Sequence, residues 1–486
     1  MSNKIFDHEA EAGMYPRGIL GRGRFLLFFC AMLPIVGLGG RCEGPSAKVV
    51  EPIYLVHSYH LDPIGTTPQS GPTVYAQHRD AVLWLEDLAQ QSGMKINAFS
   101  TGLYAEGAVR SGDFSDFADF MPGGPHTLGV HLHAHHKPFD APDAPWTWVE
   151  EPANIEDPEI ARAIYEDQIF FVNELFRQNG VDPIENIIMH GSHVQLDDMS
   201  ELYGTSETRS VDYPNVFTLL EGRRGIYHPY RGPASTVTGQ EDPSEDEDFG
   251  APYVHVPIVS GVIGYDEVHG PEGMVYGTVP YIKRDFILEY LEWREVERGA
   301  SGEPPRIWVF GWGSHPYQTT AQSRGTDGRL VRDSWSEIVA WLNEYYVGKE
   351  TPNGNEIARW ANYREVEARF LEWEEAHPGV TSIDNNEEGG PRQELAFLFE
   401  PLGDAAHDGE VADLPEGVRG ERFRDPEGAF LWLLWSDAGN VAVPVGDEFP
   451  VSRTVRHADG TTTSERGETI LVGETPILVV EDGSTS

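Results

Sequence analysis

The chain has 486 residues, of which 40% are hydrophobic and 11% aromatic, so it exceeds one ordinary core of about 100–200 residues. Its 79 acidic and 35 basic residues give a formal net charge of −44. Such a surface repels phosphate backbones, which excludes nucleic acid as a partner. The two cysteines, Cys30 and Cys42, both lie near the N-terminus. The rest of the chain therefore forms no internal disulfide, and any metal must be held by His, Asp or Glu.

Residues 1–48 have the pattern of an export signal followed by a linker. Three arginines within residues 17–24 precede the apolar run at residues 25–40. A membrane span needs about 20 apolar residues, and this run is shorter, so we predict a signal peptide. A retained N-terminal membrane anchor is the alternative. Lipidation of Cys42 is a further one, although Arg41 stands where that motif requires a small residue.

Strand-like and helical segments then alternate along the chain up to residue 385. The strands are predicted at 53–57, 96–100, 128–132, 187–189 and 306–310, and the helices at 79–91, 157–180, 281–298, 331–347 and 355–376. Repeated alternation of this kind is typical of parallel strands joined by crossover helices. It favours a (β/α) barrel, irregular or seven-stranded, over residues 49–385, interrupted by an acidic loop at 236–255.

The character of the sequence changes after a polar linker at residues 384–392. Short strand-like runs follow, reading ELAFLF, AFLWLLW, VAVPV, ETILV and TPILVV. Runs of this length separated by Gly, Asp and Pro predict a small antiparallel β-sandwich over residues 393–486. This part has few histidines and no evident pair of acids, so we expect it to support the barrel or contact glycan.

The segment at residues 123–139 carries most of the chemical signal. It contains five histidines, at His126, His131, His133, His135 and His136. On a strand, positions 131, 133 and 135 share one face, and on a helical turn positions 131 and 135 do. Either geometry brings two imidazoles together, as a metal site requires. The alternative is a structural or proton-relay cluster.

This segment resembles the metal-binding motif of the NodB-type polysaccharide deacetylases. His126, Gly129, His131 and His135 reproduce the H-x-x-G-x-H-x-x-x-H skeleton of that family, and the strand segment at 93–102 is also similar. The resemblance spans roughly residues 50–330. It implies a deacetylase barrel in which His131 and His135 bind a metal. His133 and His136 lie outside the family's pairing, so His133 is a candidate substrate contact.

The first strand departs from the family, which has two adjacent aspartates there. The segment at 53–63 offers His57, His60 and Asp62 instead. We take Asp62 as the third metal ligand, because two imidazoles and one carboxylate leave positions open for water and substrate. His60 is then the candidate general base. In the alternative interpretation, Asp62 only caps the turn at Pro63.

Two later strand ends also carry histidines. The resemblance implies that His315 is the general acid, and that His193 contacts the substrate where the family often has an arginine. Trp312 and Tyr317 flank His315 in the sequence and could stack against sugar rings. Trp146 and Trp148 could do the same, although tryptophan is equally common in a core.

Taken together, these residues predict an exported, metal-dependent hydrolase that removes acyl groups from a polysaccharide or other glycan. The metal is a divalent ion, with Zn²⁺ as first choice and Co²⁺, Ni²⁺ or Fe²⁺ as others that suit imidazole. One alternative is a glycoside hydrolase, which would need two facing carboxylates that the sequence does not reveal. Another is an inactive barrel that only binds glycan, since the second aspartate is missing. The oligomeric state is left open.

Overall fold

The computed structural model of the protein describes nineteen stretches of the chain, all of them within Ala47–Ser486. They are residues 50–61, 71–112, 115–120, 123–131, 135–137, 141, 143–148, 158–180, 189–190, 209–214, 227–232, 253–258, 278–299, 306–325, 328–382, 395–402, 405–446, 449–450 and 452–481. None of the helices in these stretches is long and apolar enough to cross a membrane. The predicted export signal and the linker at 384–392 lie outside them.

A mainly parallel sheet forms the first part of the fold. Its strands are β1 (Ile53–Leu61), β2 (Asn97–Ser100), β3 (Thr127–His131), β6 (Met189–His190), β7 (Arg209–Pro214), β8 (Tyr230–Gly232), β9 (Tyr253–Ile258), β10 (Trp308–Ser314) and β11 (Ala358–Trp360). They lie in the order β10-β1-β2-β3-β6-β7-β9-β8, with β11 beside β1. The β8–β9 ladder is antiparallel and the other ladders among these strands are parallel.

The segment that leads into β8 also contacts β10, which stands at the other end of the strand order. The backbone N–H of Val309 donates to the carbonyl of Tyr227 at 2.7 Å. The His228 ring lies 2.9 Å from the carbonyl of Ile307 through its Nδ1. The parallel ladders described above confirm the predicted mixed α/β architecture with a parallel sheet.

Helices connect these strands, and their ends follow ordinary capping chemistry. They are α1 (Gly71–Ser92), α2 (Gly102–Ser111), α3 (Pro158–Gln178), α4 (Val279–Glu297), α5 (Val331–Tyr345) and α6 (Tyr363–Ala376). Thr101 caps α2 by accepting the Tyr104 N–H, and Gly112 ends that helix with a φ of 67°. Asn362 and Glu365 form a capping box at the start of α6.

Alternate residues of β1 point into two different cores. Ile53, Leu55 and Tyr59 belong to the large core between the sheet and its helices. Tyr54 and Val56 face the other way, into a smaller core that α6 helps to cover. All nine residues of β1 are buried, because both faces of the strand are covered. A strand of this kind is apolar at most positions. This explains why β1 reads as a continuous apolar run broken mainly by histidines.

An antiparallel sheet forms the C-terminal part. Its strands are β12 (Ala406–Glu410), β13 (Val418–Arg424), β14 (Phe430–Ser436), β16 (Arg453–His457), β17 (Thr462–Glu465) and β19 (Ile477–Glu481), in the order β12-β13-β14-β19-β16-β17. A ribbon of β15 (Val441–Pro444) and β18 (Thr469–Val472) shares an apolar core with it. On β14, Trp432 and Leu434 face that core, while Leu433 and Trp435 face the large core.

Two predicted elements are wrong. The run ELAFLF was expected to be a strand, but residues Ala396–Leu402 form a helix, α7. Leu395, Leu398 and Leu402 lie at helical spacing and are buried on one side. A short apolar run has no periodicity that separates the two states, so packing decides. The helix predicted over 355–376 instead begins at Tyr363, because Ala358–Trp360 pairs with β1 as strand β11.

Candidate active site

The candidate site lies at the carboxyl ends of three parallel strands. His60 is the penultimate residue of β1, His131 ends β3, and His315 directly follows β10. Residue alternation places all three on the sheet face that carries Tyr54 and Val56, opposite the face that packs into the large core. The carboxyl ends of parallel strands are where such folds assemble their sites, because the loops that follow the strands meet there.

The three imidazoles are in contact. The His60 and His131 rings are stacked, with centroids 4.8 Å apart and an interplanar angle of 24°. The His315 ring meets His60 edge-on, with centroids 5.0 Å apart. Each of the three residues is only 6% exposed. The structure therefore brings together three histidines that are 71 and 184 positions apart in sequence.

Gln318 fixes the protonation pattern of His315. Its Oε1 accepts the backbone N–H of His315 at 3.0 Å and lies 2.8 Å from His315 Nδ1. Since a backbone N–H can only donate, the amide oxygen must face His315, and Nδ1 must therefore carry a hydrogen. The other ring nitrogen, Nε2, is then the one that can accept, donate or exchange a proton with a substrate.

The loop that carries His315 is tied to β1. The Tyr59 hydroxyl lies 2.6 Å from Thr319 Oγ1, which in turn donates to the His315 carbonyl at 3.2 Å. Burial raises the pKa of Tyr59, so the phenol stays neutral and can donate. On the same strand, Ser58 Oγ lies 2.7 Å from His60 Nε2 and positions that ring.

Of the proposed metal ligands, the structure describes the side chain of His131 alone. Asp62 lies just beyond the end of β1, outside the described residues, as do His133 and His193. His135 has a described backbone in strand β4 (His135–His136), which pairs with β5 (Thr147–Trp148). His131 fits a metal ligand chemically, since it is a buried imidazole whose nearest described ring is another imidazole.

A buried carboxylate holds both ends of the hairpin that contains His135. Glu106 of α2 is 4% exposed. Its Oε1 is 2.5 Å from Lys137 Nζ, immediately after β4, and its Oε2 accepts Trp146 Nε1, immediately before β5. Lys137 is itself 2% exposed and lies over the Trp146 ring. Trp146 is thus an anchor of the hairpin rather than an exposed sugar platform.

Of the remaining predicted residues, Tyr317 contacts the histidine cluster and Trp312 lies on the other face of its strand. Tyr317 stacks on His315 with centroids 4.9 Å apart and is partly exposed. Trp312 is fully buried on the helix side of β10, where it packs against Trp335 and Trp360. It is therefore not among the groups that the structure gathers around His60.

His57, which the first strand offers together with His60 and Asp62, also faces the helix side. Its ring is fully buried and meets Trp335 edge-on at 4.3 Å. Burial lowers its pKa well below the ordinary value, with a smaller contribution from His126, so the ring is neutral. Neither ring nitrogen has a hydrogen-bond partner among the described residues. His57 is thus separated from the candidate site by the strand itself.

Three residues near these sites, Ser58, Gln318 and Glu106, were not predicted from the sequence. Ser58 precedes His60 by two residues, and therefore shares its face of the strand. Gln318 follows His315 by three residues, a spacing at which side chains meet in a turn. Glu106 could not have been found in this way, because its partners Lys137 and Trp146 are 31 and 40 residues away.

No protein-family model matches the chain, and no curated protein matches its sequence. Among solved structures, a protein described as a polysaccharide deacetylase from Mycobacterium smegmatis is 10% identical, with 70% of this chain and 98% of that chain covered and a TM-score of 0.36. Puue allantoinase is 12% identical, with 72% and 100% covered and a TM-score of 0.37.

A GH57-type branching enzyme from Pyrococcus horikoshii gives a similar result. It is 9% identical, with 72% of this chain and 77% of that chain covered and a TM-score of 0.35. At this level of similarity the solved structures give no activity for the chain. Its function has to be inferred from its own side chains.

Proposed function

We propose that the protein is an exported, metal-dependent hydrolase that removes acyl groups, acetyl in the first instance, from a polysaccharide or other glycan. The contact of His60, His131 and His315 at three strand ends carries this proposal. Imidazole can bind a metal or exchange a proton near neutral pH, and here three imidazoles are gathered at one buried position. Hydrolysis uses such groups as metal ligands, bases and acids.

The residues would divide the work as follows. His60 takes a proton from the attacking water, and Ser58 holds its ring in place. His315 donates a proton from Nε2 to the leaving nitrogen or oxygen, because its Nδ1–H is already committed to Gln318. Tyr317, stacked on His315, offers a partly exposed aromatic face to a sugar ring.

Asp62, His131 and His135 would hold the divalent ion. When bound, such an ion lowers the pKa of a water and polarises the acyl carbonyl. His131 ends β3 and stacks on His60, and His135 follows it by four residues in strand β4. Zn²⁺ is the first choice for two imidazoles and one carboxylate, and Co²⁺, Ni²⁺ or Fe²⁺ suit the same donors.

Acetate release from acetylated glycans tests the proposal. We expect the purified protein to release acetate, to lose this activity on treatment with a chelator, and to regain it with Zn²⁺. His131→Ala and His135→Ala should abolish metal-dependent activity, whereas Tyr317→Phe should retain most of it. Cleavage of glycosidic bonds that survives the chelator would instead show a glycoside hydrolase. Tight glycan binding without acetate release at any pH would show a non-catalytic barrel.

The finer architecture belongs to the same proposal. We infer that the parallel sheet closes into an irregular or seven-stranded barrel over residues 49–385, and that residues 393–486 form an accessory sandwich. Residues 1–48 would direct export to the periplasm, cell surface or medium, with membrane anchoring as the alternative. Cell fractionation of the full chain, compared with a chain lacking residues 1–40, tests this localisation.

A further inference from the structure

Outside the candidate active site, one group of metal-ligating side chains converges in the C-terminal sheet, where no pair of acids was predicted. His407 and Glu410 lie on β12, and Glu421 lies on β13. One ligand atom from each residue lies within 4.8 Å of the other two. His407 Nε2 is 2.9 Å from Glu421 Oε2. Among the described residues, this is the one group of three with such a geometry.

The two carboxylates stand directly opposite each other across the ladder, since Glu410 pairs with Glu421 in the β12–β13 register. Like charges in that position repel, and such pairs are unfavourable in a sheet. Arg419, whose guanidinium lies over the Tyr346 ring, compensates Glu421. Glu410 has no Lys or Arg partner among the residues that the structure describes, in a chain that is already strongly acidic.

Two aromatic donors, one in α5 and one in the residue that follows it, hold the two carboxylates. Trp341 Nε1 donates to Glu410 Oε1 at 2.7 Å, and the Tyr346 hydroxyl donates to Glu421 Oε1 at 3.3 Å. Burial raises the pKa of Tyr346 well above its ordinary value, so its hydroxyl remains a donor. Glu421 thus has Oε1 on Tyr346 and Oε2 toward His407, and Trp341 holds Glu410 by one oxygen. Outer hydrogen bonds of this kind orient metal-binding carboxylates.

We propose that His407, Glu410 and Glu421 form a second divalent-cation site, separate from the candidate active site. One imidazole nitrogen and two carboxylate oxygens suit Zn²⁺, or Co²⁺ and Ni²⁺, better than Mg²⁺ or Ca²⁺, which take oxygen ligands. His407 and Glu421 are 7% and 2% exposed, whereas Glu410 is exposed and leaves a path for the ion. Because the ligands come from the sheet and their donors from α5, the ion would brace the contact between the two.

Zinc titration of the metal-free protein tests this site. The background is His131→Ala, which removes the proposed active-site ion. Glu410→Gln is the main variant, because the amide oxygen can still accept from Trp341 while the anionic ligand is lost. Glu427→Gln, an exposed glutamate beyond the end of β13, is the control for the same loss of charge. The readouts are calorimetric binding and the midpoint of thermal unfolding.

The site predicts that the His131→Ala chain still binds one equivalent of Zn²⁺ and unfolds at a higher temperature when it does. Adding Glu410→Gln should weaken this binding at least tenfold and remove the rise in the midpoint, whereas adding Glu427→Gln should change neither. Absence of zinc binding, or binding that is equal in both double variants, would refute the second site. If His131→Ala does not fold, Glu410→Gln in the otherwise unchanged chain should bind one equivalent fewer than Glu427→Gln. Equal binding by wild type and His131→Ala would count against the active-site ion and leave the second site standing.

Discussion

The ring of His60 lies stacked on the ring of His131, with their centroids 4.8 Å apart. An imidazole can bind a metal or accept a proton, so the two stacked rings can divide these two roles between them. We expect His60→Ala to lower turnover about 10²–10⁴-fold, the usual contribution of a general base, while the bound metal is retained. His131→Ala should lose both the bound metal and the turnover. Metal content and acetate release, measured on the same samples, separate the two roles, and loss of metal in His60→Ala would make His60 a ligand instead.

The His315–Gln318 pair gives a prediction about pH. Gln318→Glu places a carboxylate on Nδ1–H, which stabilises the protonated form of the ring. The alkaline limb of the pH–rate profile, where a general acid loses its proton, should move up by about one pH unit. Gln318→Ala should lower turnover without this displacement, because the ring loses its orientation. Identical profiles for Gln318→Glu and the wild type would exclude His315 as the acid.

The Glu106–Lys137 pair predicts a change in both stability and local dynamics. Glu106→Gln leaves the Lys137 ammonium buried beside a neutral amide, and breaking a buried pair in this way costs about 3 kcal/mol of unfolding free energy. Lys137→Met combined with Glu106→Gln should recover much of that loss in a double-mutant cycle. Hydrogen exchange should quicken at residues 135–148 in Glu106→Gln and stay unchanged in β10. A uniform increase across the chain would show a general loss of stability rather than release of the hairpin.

Glu289 on α4 predicts that the protein becomes less stable as the pH rises. Its side chain is fully buried, and neither carboxyl oxygen has a hydrogen-bond partner among the described residues. Burial, and then the charges of Glu292 and Asp285, raise its pKa well above the ordinary value of 4.5. Above pH 4.5 the unfolded chain releases this proton, whereas the folded chain keeps it. The free energy of unfolding therefore falls by about 1.4 kcal/mol per pH unit until the carboxyl group of the folded chain titrates.

Glu289→Gln should therefore gain stability relative to the wild type as the pH rises from 5 to 8, in urea unfolding. Glu297, on the same helix, provides a control of opposite sign. Burial raises its pKa, but hydrogen bonds from Asn355 and Thr351 and the charge of Arg294 outweigh this and lower it. Glu297→Gln should lose stability at neutral pH and approach the wild type in acid. Parallel pH curves for the wild type and Glu289→Gln would contradict the burial argument.

The sequence predicted those features that local patterns encode. Alternation of apolar runs gave β1, β2, β3 and β10 within a few residues, and helical spacing gave α3 and α4. Strand-end histidines pointed to His60, His131 and His315 because residues at the ends of parallel strands meet whatever their separation in the chain.

Other features depended on contacts that no local pattern records. The helix α7 has the same apolar composition as a buried strand, and β11 is three residues long. The convergence of His407, Glu410 and Glu421 follows from the β12–β13 register, which a bulge between His407 and Gly409 shifts. A displacement of one position changes which side chains share a face, so the sequence alone could not place these three together.

The strand β14 has side chains in two cores at once, with Leu433 and Trp435 against the helices and Trp432 and Leu434 against the ribbon. The C-terminal sheet is consequently not a module that could be removed or replaced while the rest of the chain kept its fold. A nonsense mutation after residue 394 would uncover the apolar flank of α4 and α5 to water. Such a truncated protein should aggregate or be degraded in the cell and should not persist as a folded fragment.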